Sequence, residues 1–179
     1  MPQSLIDVLD TSVKIGLGAL ISGLATYFVT KTNNSHVKHT ELLKRKLDII
    51  ENSTIHIDSY FHSLGELLSR TDGILRSMDL EDGNILKTND KAMKFLKESD
   101  EELLLQRKEI NLAKSKLHLI MLSNVVNKID KLTEFENDIR TLIMFNQKIP
   151  SNEQLKEWGL KFNKFKKDIY SDISKSYKS

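Results

Sequence analysis

Residues 11–30, TSVKIGLGALISGLATYFVT, decide how the rest of the chain can be arranged. Between Lys14 and Lys31 lie sixteen residues without a formal charge, and a helix of that length rises about 24 Å. The hydrocarbon core of a bilayer is about 30 Å thick, and a Lys14 side chain that reaches outward would extend the span sufficiently. The stretch therefore predicts one membrane-spanning helix, with Lys14 and Lys31 setting its depth and the lipid bilayer as its partner.

Small side chains lie on one face of this predicted helix, opposite an arc of large apolar ones. The first small-residue edge comprises Ser12, Gly16, Ala19, Gly23 and Thr26. A second packing edge beside it comprises Gly18, Ser22 and Ala25. Small residues let helix backbones approach closely in lipid, although glycine is also simply common in membrane helices. Because a ring uses two different edges of each protomer, the pattern favours a homo-oligomer that closes as a ring.

The charges on either side of the span predict its orientation. The leader, residues 1–10, carries two aspartates and no basic residue, whereas five basic residues and one acidic residue follow between 31 and 46. Positive charge favours the cytoplasmic side, so we expect a short uncleaved leader outside and the carboxyl-terminal domain inside. The expected location is the bacterial inner membrane, crossed once.

The remaining chain predicts helices throughout. Apolar residues alternate at spacings of three and four from Leu43 to Met78, interrupted only by Thr54 and Thr71, as in a helix that packs one seam against others. No run alternates with period two. We predict an all-α protein, in which a polar connector at 31–36 joins the transmembrane helix to a four- or five-helix cytoplasmic bundle at 37–179.

Local signals predict the boundaries within this bundle. Glycines at 65 and 73 indicate a kink or break near 71–73, and residues 79–90 are typical of a loop. A short helix is expected at 91–98. Capping residues at Ser99, Ser123 and Ser151 predict three further helix starts. Their inward stripes are expected to contain Leu103, Ile110 and Leu117, then Ile129, Leu132 and Phe135, then Trp158, Phe162, Phe165, Ile169 and Ile173.

Composition excludes several kinds of chemistry. The chain has no cysteine, so disulfides, thiolate zinc sites and cysteine nucleophiles are excluded. Phosphate-binding glycine loops and nucleophile elbows are missing. A net charge of +2 does not argue for a DNA partner. We therefore expect no cofactor and no catalytic residue.

Two groups of polar residues could still bind something. His36 with His39, and Asp58 with His62, could each present two metal ligands on one helix face, but no third ligand follows, so no metal site is predicted. On the last helix, Lys161, Lys164 and Lys167 could contact RNA or anionic lipid. The alternative is a solvated lysine face on a core helix.

The chain resembles the small membrane-anchored accessory protein of type VI-B CRISPR systems. The resemblance covers the whole chain as architecture: an amino-terminal membrane helix, a basic start to a long heptad helix and an all-helical domain. It implies a divergent HEPN-like ribonuclease fold and a membrane pore. The Arg-x4-6-His motif of a working HEPN site is absent, and Arg140 with Asn146 is its nearest analogue, able to bind phosphate but not to transfer protons.

These observations predict a membrane-anchored oligomer that acts as a pore or membrane-perturbing accessory factor in antiviral defence. The alternatives are a tethered scaffold that recruits a cytoplasmic effector protein, and a divergent HEPN-like ribonuclease acting on RNA.

Overall fold

Helices account for almost all of the chain that the structure describes. The computed structural model describes residues 5–77 and 90–177, with side chains described except at 5–18 and 34–36. The helices are α1 at Leu5–Ser77, α2 at Asp90–Leu119, α3 at Ser123–Arg140 and α4 at Asn152–Ser176, with a five-residue π-helix, Thr141–Phe145, directly after α3. No strand occurs in these two ranges, which confirms the all-α class with about four helices.

The chain divides into two compact units, Met1–Arg45 and Lys46–Ser179. The second unit is a helical bundle with one hydrophobic core, to which the carboxyl-terminal part of α1 and the other three helices contribute.

The heptad seam predicted in α1 is confirmed within the second unit. Ile50, Ile57 and Leu64 are completely buried, and Phe61 and Leu75 nearly so. Leu43 and Leu47, at the start of the pattern, are 42% and 37% exposed. The seam therefore becomes buried only where the other helices cover it, which periodicity alone does not reveal.

Glycine does not end α1, which runs through Gly65 and Gly73 to Ser77. A helical glycine costs about 1 kcal/mol relative to alanine. Here the neighbouring Leu68, Ile74 and Leu75 are all buried in the core. Their burial outweighs the weak propensity, since a buried leucine contributes about 1.5–3 kcal/mol.

Three predicted boundaries were wrong. The connector at 31–36 is helical and belongs to α1. Residues 91–98 and the helix after Ser99 form one helix, α2, in which Ser99 is buried rather than a cap. The amino terminus of α3 has Leu122 at its cap position and no side-chain cap hydrogen bond. The preference of a polar residue for a cap position is weak compared with the stabilisation that continuous burial along a helix provides. The loop predicted at 79–90 lies almost wholly outside the described residues.

The start of α4 was predicted correctly. The Ser151 hydroxyl accepts a hydrogen bond from the Gln154 backbone N–H at 3.1 Å. The inward stripe of the helix is also confirmed: Trp158, Phe162, Ile169 and Ile173 are buried, and Phe165 packs partly buried against the core.

Candidate functional site

The amino-terminal unit exposes a concentrated set of large apolar side chains. Between residues 20 and 29, six of them are at least half exposed: Leu20 64%, Ile21 59%, Leu24 51%, Tyr27 59%, Phe28 60% and Val29 65%. Single exposed apolar residues are ordinary, whereas a contiguous group of this kind is typical of surfaces that contact another protein or a membrane.

Both small-residue edges are open wherever the structure describes them. Ala19, Gly23 and Thr26 of the first edge, and Ser22 and Ala25 of the second, are exposed. A Cβ atom added at Gly23 would meet nothing within 4 Å. The Thr26 hydroxyl donates to the Ser22 carbonyl at 2.8 Å, so this polar group is satisfied within its own helix. The other three members, Ser12, Gly16 and Gly18, lie outside the described side chains.

Aromatic and basic side chains meet at the carboxyl-terminal end of the predicted span. The Lys31 ammonium lies 5.9 Å from the centroid of the Tyr27 ring. The Tyr27 ring packs edge-on against the Phe28 ring, with 5.8 Å between the two ring centroids. Aromatic rings next to a lysine are typical of a membrane–water boundary. Lys14, at the other end, lies outside the described side chains.

A search of the described residues finds no helix that combines the length and apolar character needed to cross a membrane. The amino-terminal part of the predicted span, residues 11–18, lies outside the described side chains.

A network of buried and partly buried polar side chains joins three helices of the second unit. Arg140 of α3 donates from Nε to Asp100 Oδ1 of α2 at 2.6 Å and from Nη2 to Oδ2 at 3.0 Å. The Tyr60 hydroxyl of α1 donates to Glu136 Oε2 at 2.5 Å. Arg107 Nη1 lies 3.5 Å from Glu136 Oε1, and Arg140 Nε lies 3.9 Å from the same oxygen. We call these five residues the polar cluster.

Burial dominates the electrostatics of the polar cluster. Glu136 is completely buried, and this burial raises the pKa of its carboxyl group despite the Tyr60 hydroxyl and the two arginines, which lower it. Burial also raises the pKa of Tyr60, with a further contribution from Glu136. The hydrogen bonds to Asp100 raise the pKa of Arg140 still further above its ordinary value. The cluster is thus a set of buried and partly buried polar groups whose donors and acceptors point at each other.

This geometry indicates a structural role for the polar cluster. Tyr60, Asp100 and Glu136 lie on different helices, so their bonds fix how α1, α2 and α3 meet. Sequence reasoning missed the cluster. A signal was present: Glu136 and Arg140 are spaced i, i+4 on the same stripe as Leu132 and Ile139. A charged pair on an apolar stripe indicates a buried ion pair.

The structure separates the residues predicted to contact RNA. Arg140 is 9% exposed and is held by Asp100, so its guanidinium is not presented to a phosphate. Asn146 is exposed just after the π-helix, and Phe145 beside it has its ring 5.7 Å from the Arg140 guanidinium carbon. The lysines at 161, 164 and 167 are exposed along α4. Arg140 therefore does not form a common surface with the α4 lysines.

The histidines are dispersed. His39, His62 and His118 are exposed, and His56 Nδ1 lies 3.4 Å from Glu109 Oε2. Asp58, which was paired with His62 in the sequence, accepts a hydrogen bond from the Tyr170 hydroxyl. Burial and then this carboxylate raise the pKa of Tyr170 to about 12. Within the described residues, no three potential ligands come together to hold a metal ion. His36 lies outside the described side chains.

Comparisons of the chain with protein-family models, with curated proteins and with solved structures find no match.

Proposed function

We propose that this protein is a membrane-anchored homo-oligomer that assembles through its amino-terminal helix. The exposed apolar set at residues 20–29 is the observation that carries the proposal, because it places six large apolar side chains that are at least half exposed within ten consecutive residues. Lipid would cover the large side chains. The small-residue edges, which leave the backbone accessible at Gly23, would then meet neighbouring copies.

The proposal extends to location and activity. The charges on either side of the span support a carboxyl-terminal bundle in the bacterial cytoplasm. The resemblance to the CRISPR-associated accessory protein supports a pore or membrane-perturbing role in antiviral defence. We assign no catalytic step to the polar cluster, since its groups satisfy one another inside the bundle.

Assembly through the small-residue edges is tested by the mass of the full-length protein in mild detergent. We expect several copies per particle, and dispersal to smaller species in the double variant Gly16→Leu and Gly23→Leu. The matched control is Leu20→Ile with Leu24→Ile, which changes the opposite arc and should keep the original mass. Circular dichroism confirms that the bundle remains folded. A wild-type monomer, or an unchanged mass in the glycine variant, would refute this assignment.

Membrane topology is tested with single cysteines, which are unambiguous because the natural chain has none. Gln3→Cys and Ser171→Cys are treated in intact cells with a membrane-impermeant maleimide. We expect labelling at position 3 only, and at both positions after lysis. Labelling at neither position in intact cells, together with release of the protein by alkaline extraction, would refute the proposed membrane anchor.

A tethered scaffold is the second candidate. Leu105, Leu112 and Leu119 form a row at heptad spacing on α2, exposed at 54%, 55% and 81%, and such a row suits a partner helix. Replacing residues 11–30 with an unrelated hydrophobic helix separates the two functions. A scaffold should retain its activity in cells, whereas a pore should lose both its oligomeric state and its release of dye from vesicles.

A further inference from the structure

The outward face of α4 carries three exposed lysines around one large apolar residue, with the exposed Glu153 on the same side of the helix. Between residues 156 and 167 the sequence has five lysines and one glutamate. Lys156, Lys164 and Lys167 are exposed, and Leu160 between them is 67% exposed. We call these four residues the α4 lysine face. At about 100° per residue they fall within one quadrant of the helix, opposite buried Phe162 and Ile169.

The three lysines of this face differ from several other basic residues of α3 and α4. Lys128 and Lys175 both pair with Asp172, and Lys161 lies over the Phe135 ring at 4.8 Å. By contrast, none of the ion pairs within the described part of the chain includes Lys156, Lys164 or Lys167. Their charge is therefore free to attract an anionic surface.

We propose that the α4 lysine face docks onto anionic lipid headgroups, with Leu160 entering the interfacial region. The proposal rests on the proposed membrane anchoring, which holds the bundle beside a bilayer. Lysines around an apolar residue on one helix face are the pattern of an interfacial helix. Bases of single-stranded RNA stack on exposed aromatic rings, and here the Trp158 and Phe162 rings are buried in the core, at 9% and 8% exposure.

The expected size of the effect follows from the electrostatics of anionic membranes. A lysine near such a surface contributes about a fivefold change in binding, so three of them contribute about a hundredfold. The attraction should weaken with salt, because the screening length falls from about 10 Å at 0.1 M to about 3 Å at 1 M.

The test uses Asn163→Cys in the full-length chain, labelled with a polarity-sensitive fluorophore. Asn163 is exposed beside Leu160, and its replacement leaves the α4 lysine face intact. The protein is placed in nanodiscs of phosphatidylcholine with or without phosphatidylglycerol. We expect a blue shift only with phosphatidylglycerol, reversed by high salt. Lys156→Gln, Lys164→Gln and Lys167→Gln together should lower the docked-to-undocked ratio about a hundredfold. The same change at Lys94, Lys108 and Lys116, all exposed on α2, removes equal charge and should leave the shift unchanged.

Three results would overturn the inference. These are no shift with phosphatidylglycerol, an equal shift without it, and an equal loss in the α2 control variant. A shift produced by single-stranded RNA but not by phosphatidylglycerol would assign the face to RNA instead. Incorporation into the discs is measured separately by co-elution with lipid. If the chain fails to incorporate, the proposed anchor fails, and the labelled protein mixed with phosphatidylglycerol vesicles still tests the α4 lysine face.

Discussion

Breaking the Arg140–Asp100 pair should destabilise the bundle far more than an ion pair on its surface would. The two side chains are only 11% and 10% exposed and share two parallel hydrogen bonds. Removing one partner of such a buried pair costs about 3–5 kcal/mol, because the other charge stays buried without compensation. Arg140→Met should be the worst change, since it leaves Asp100 unpaired and removes an arginine from beside Glu136. Asp100→Asn should cost less, because Arg140 then keeps Glu136 at 3.9 Å.

The assay is urea unfolding of the full-length protein in mild detergent, followed by the fluorescence of Trp158. This residue is the one tryptophan of the chain and lies in the core at 9% exposure, so its signal reports on the bundle. The matched control is Arg76→Met, which breaks an exposed i, i+4 pair with Asp72 at 2.9 Å. That change should cost less than about 1 kcal/mol.

A double-mutant cycle decides whether the two residues act as a unit. The double variant should lose about as much stability as Arg140→Met alone, which gives a coupling free energy of about 2 kcal/mol or more. Additive losses, or a loss of less than about 1 kcal/mol for Arg140→Met, would refute the structural role of the pair. Arg140 would then be free for another function.

Three further predictions concern the same bundle. Glu136→Gln should become more stable relative to the wild type as pH rises above about 4.5, by at most about 1.4 kcal/mol per pH unit. Burial raises the pKa of Glu136 in the folded protein, so the unfolded carboxyl group loses its proton first, and the wild type loses stability until the folded group ionises as well. Urea unfolding from pH 4 to 8 measures this, and a difference that is flat or falls with pH contradicts it. Ser99→Ala should stabilise the bundle by about 1 kcal/mol, since the buried Ser99 hydroxyl has no hydrogen-bond partner; a lower melting temperature would count against that account. Ser151→Ala should cost about 1 kcal/mol because it removes the cap of α4, while Ser171→Ala on the exposed face of the same helix should cost almost nothing, and equal effects would argue against the cap.

Much of the fold could be predicted because helical periodicity is a local property. The seam of α1 from Ile50 to Leu75 and the stripe of α4 follow from spacing alone, and Ser151 with Gln154 is a cap that acts within four residues. The helix start predicted at Ser99 also came from a local signal, and it was wrong. Its capping residues were present, but burial of Leu96 and Leu103 on either side makes continuation of the helix more favourable.

The sequence by itself determined the helical class, the faces that are buried and the apolar amino-terminal stretch, because each depends on residues within a few turns of one another. Only the tertiary structure decided that Arg140 faces Asp100, forty residues away, and that Tyr60 reaches Glu136 across seventy-six. Partners at such separations are chosen by how whole helices pack. Whether a basic residue can bind phosphate or forms half of a buried ion pair is therefore decided only by its neighbours in the tertiary structure.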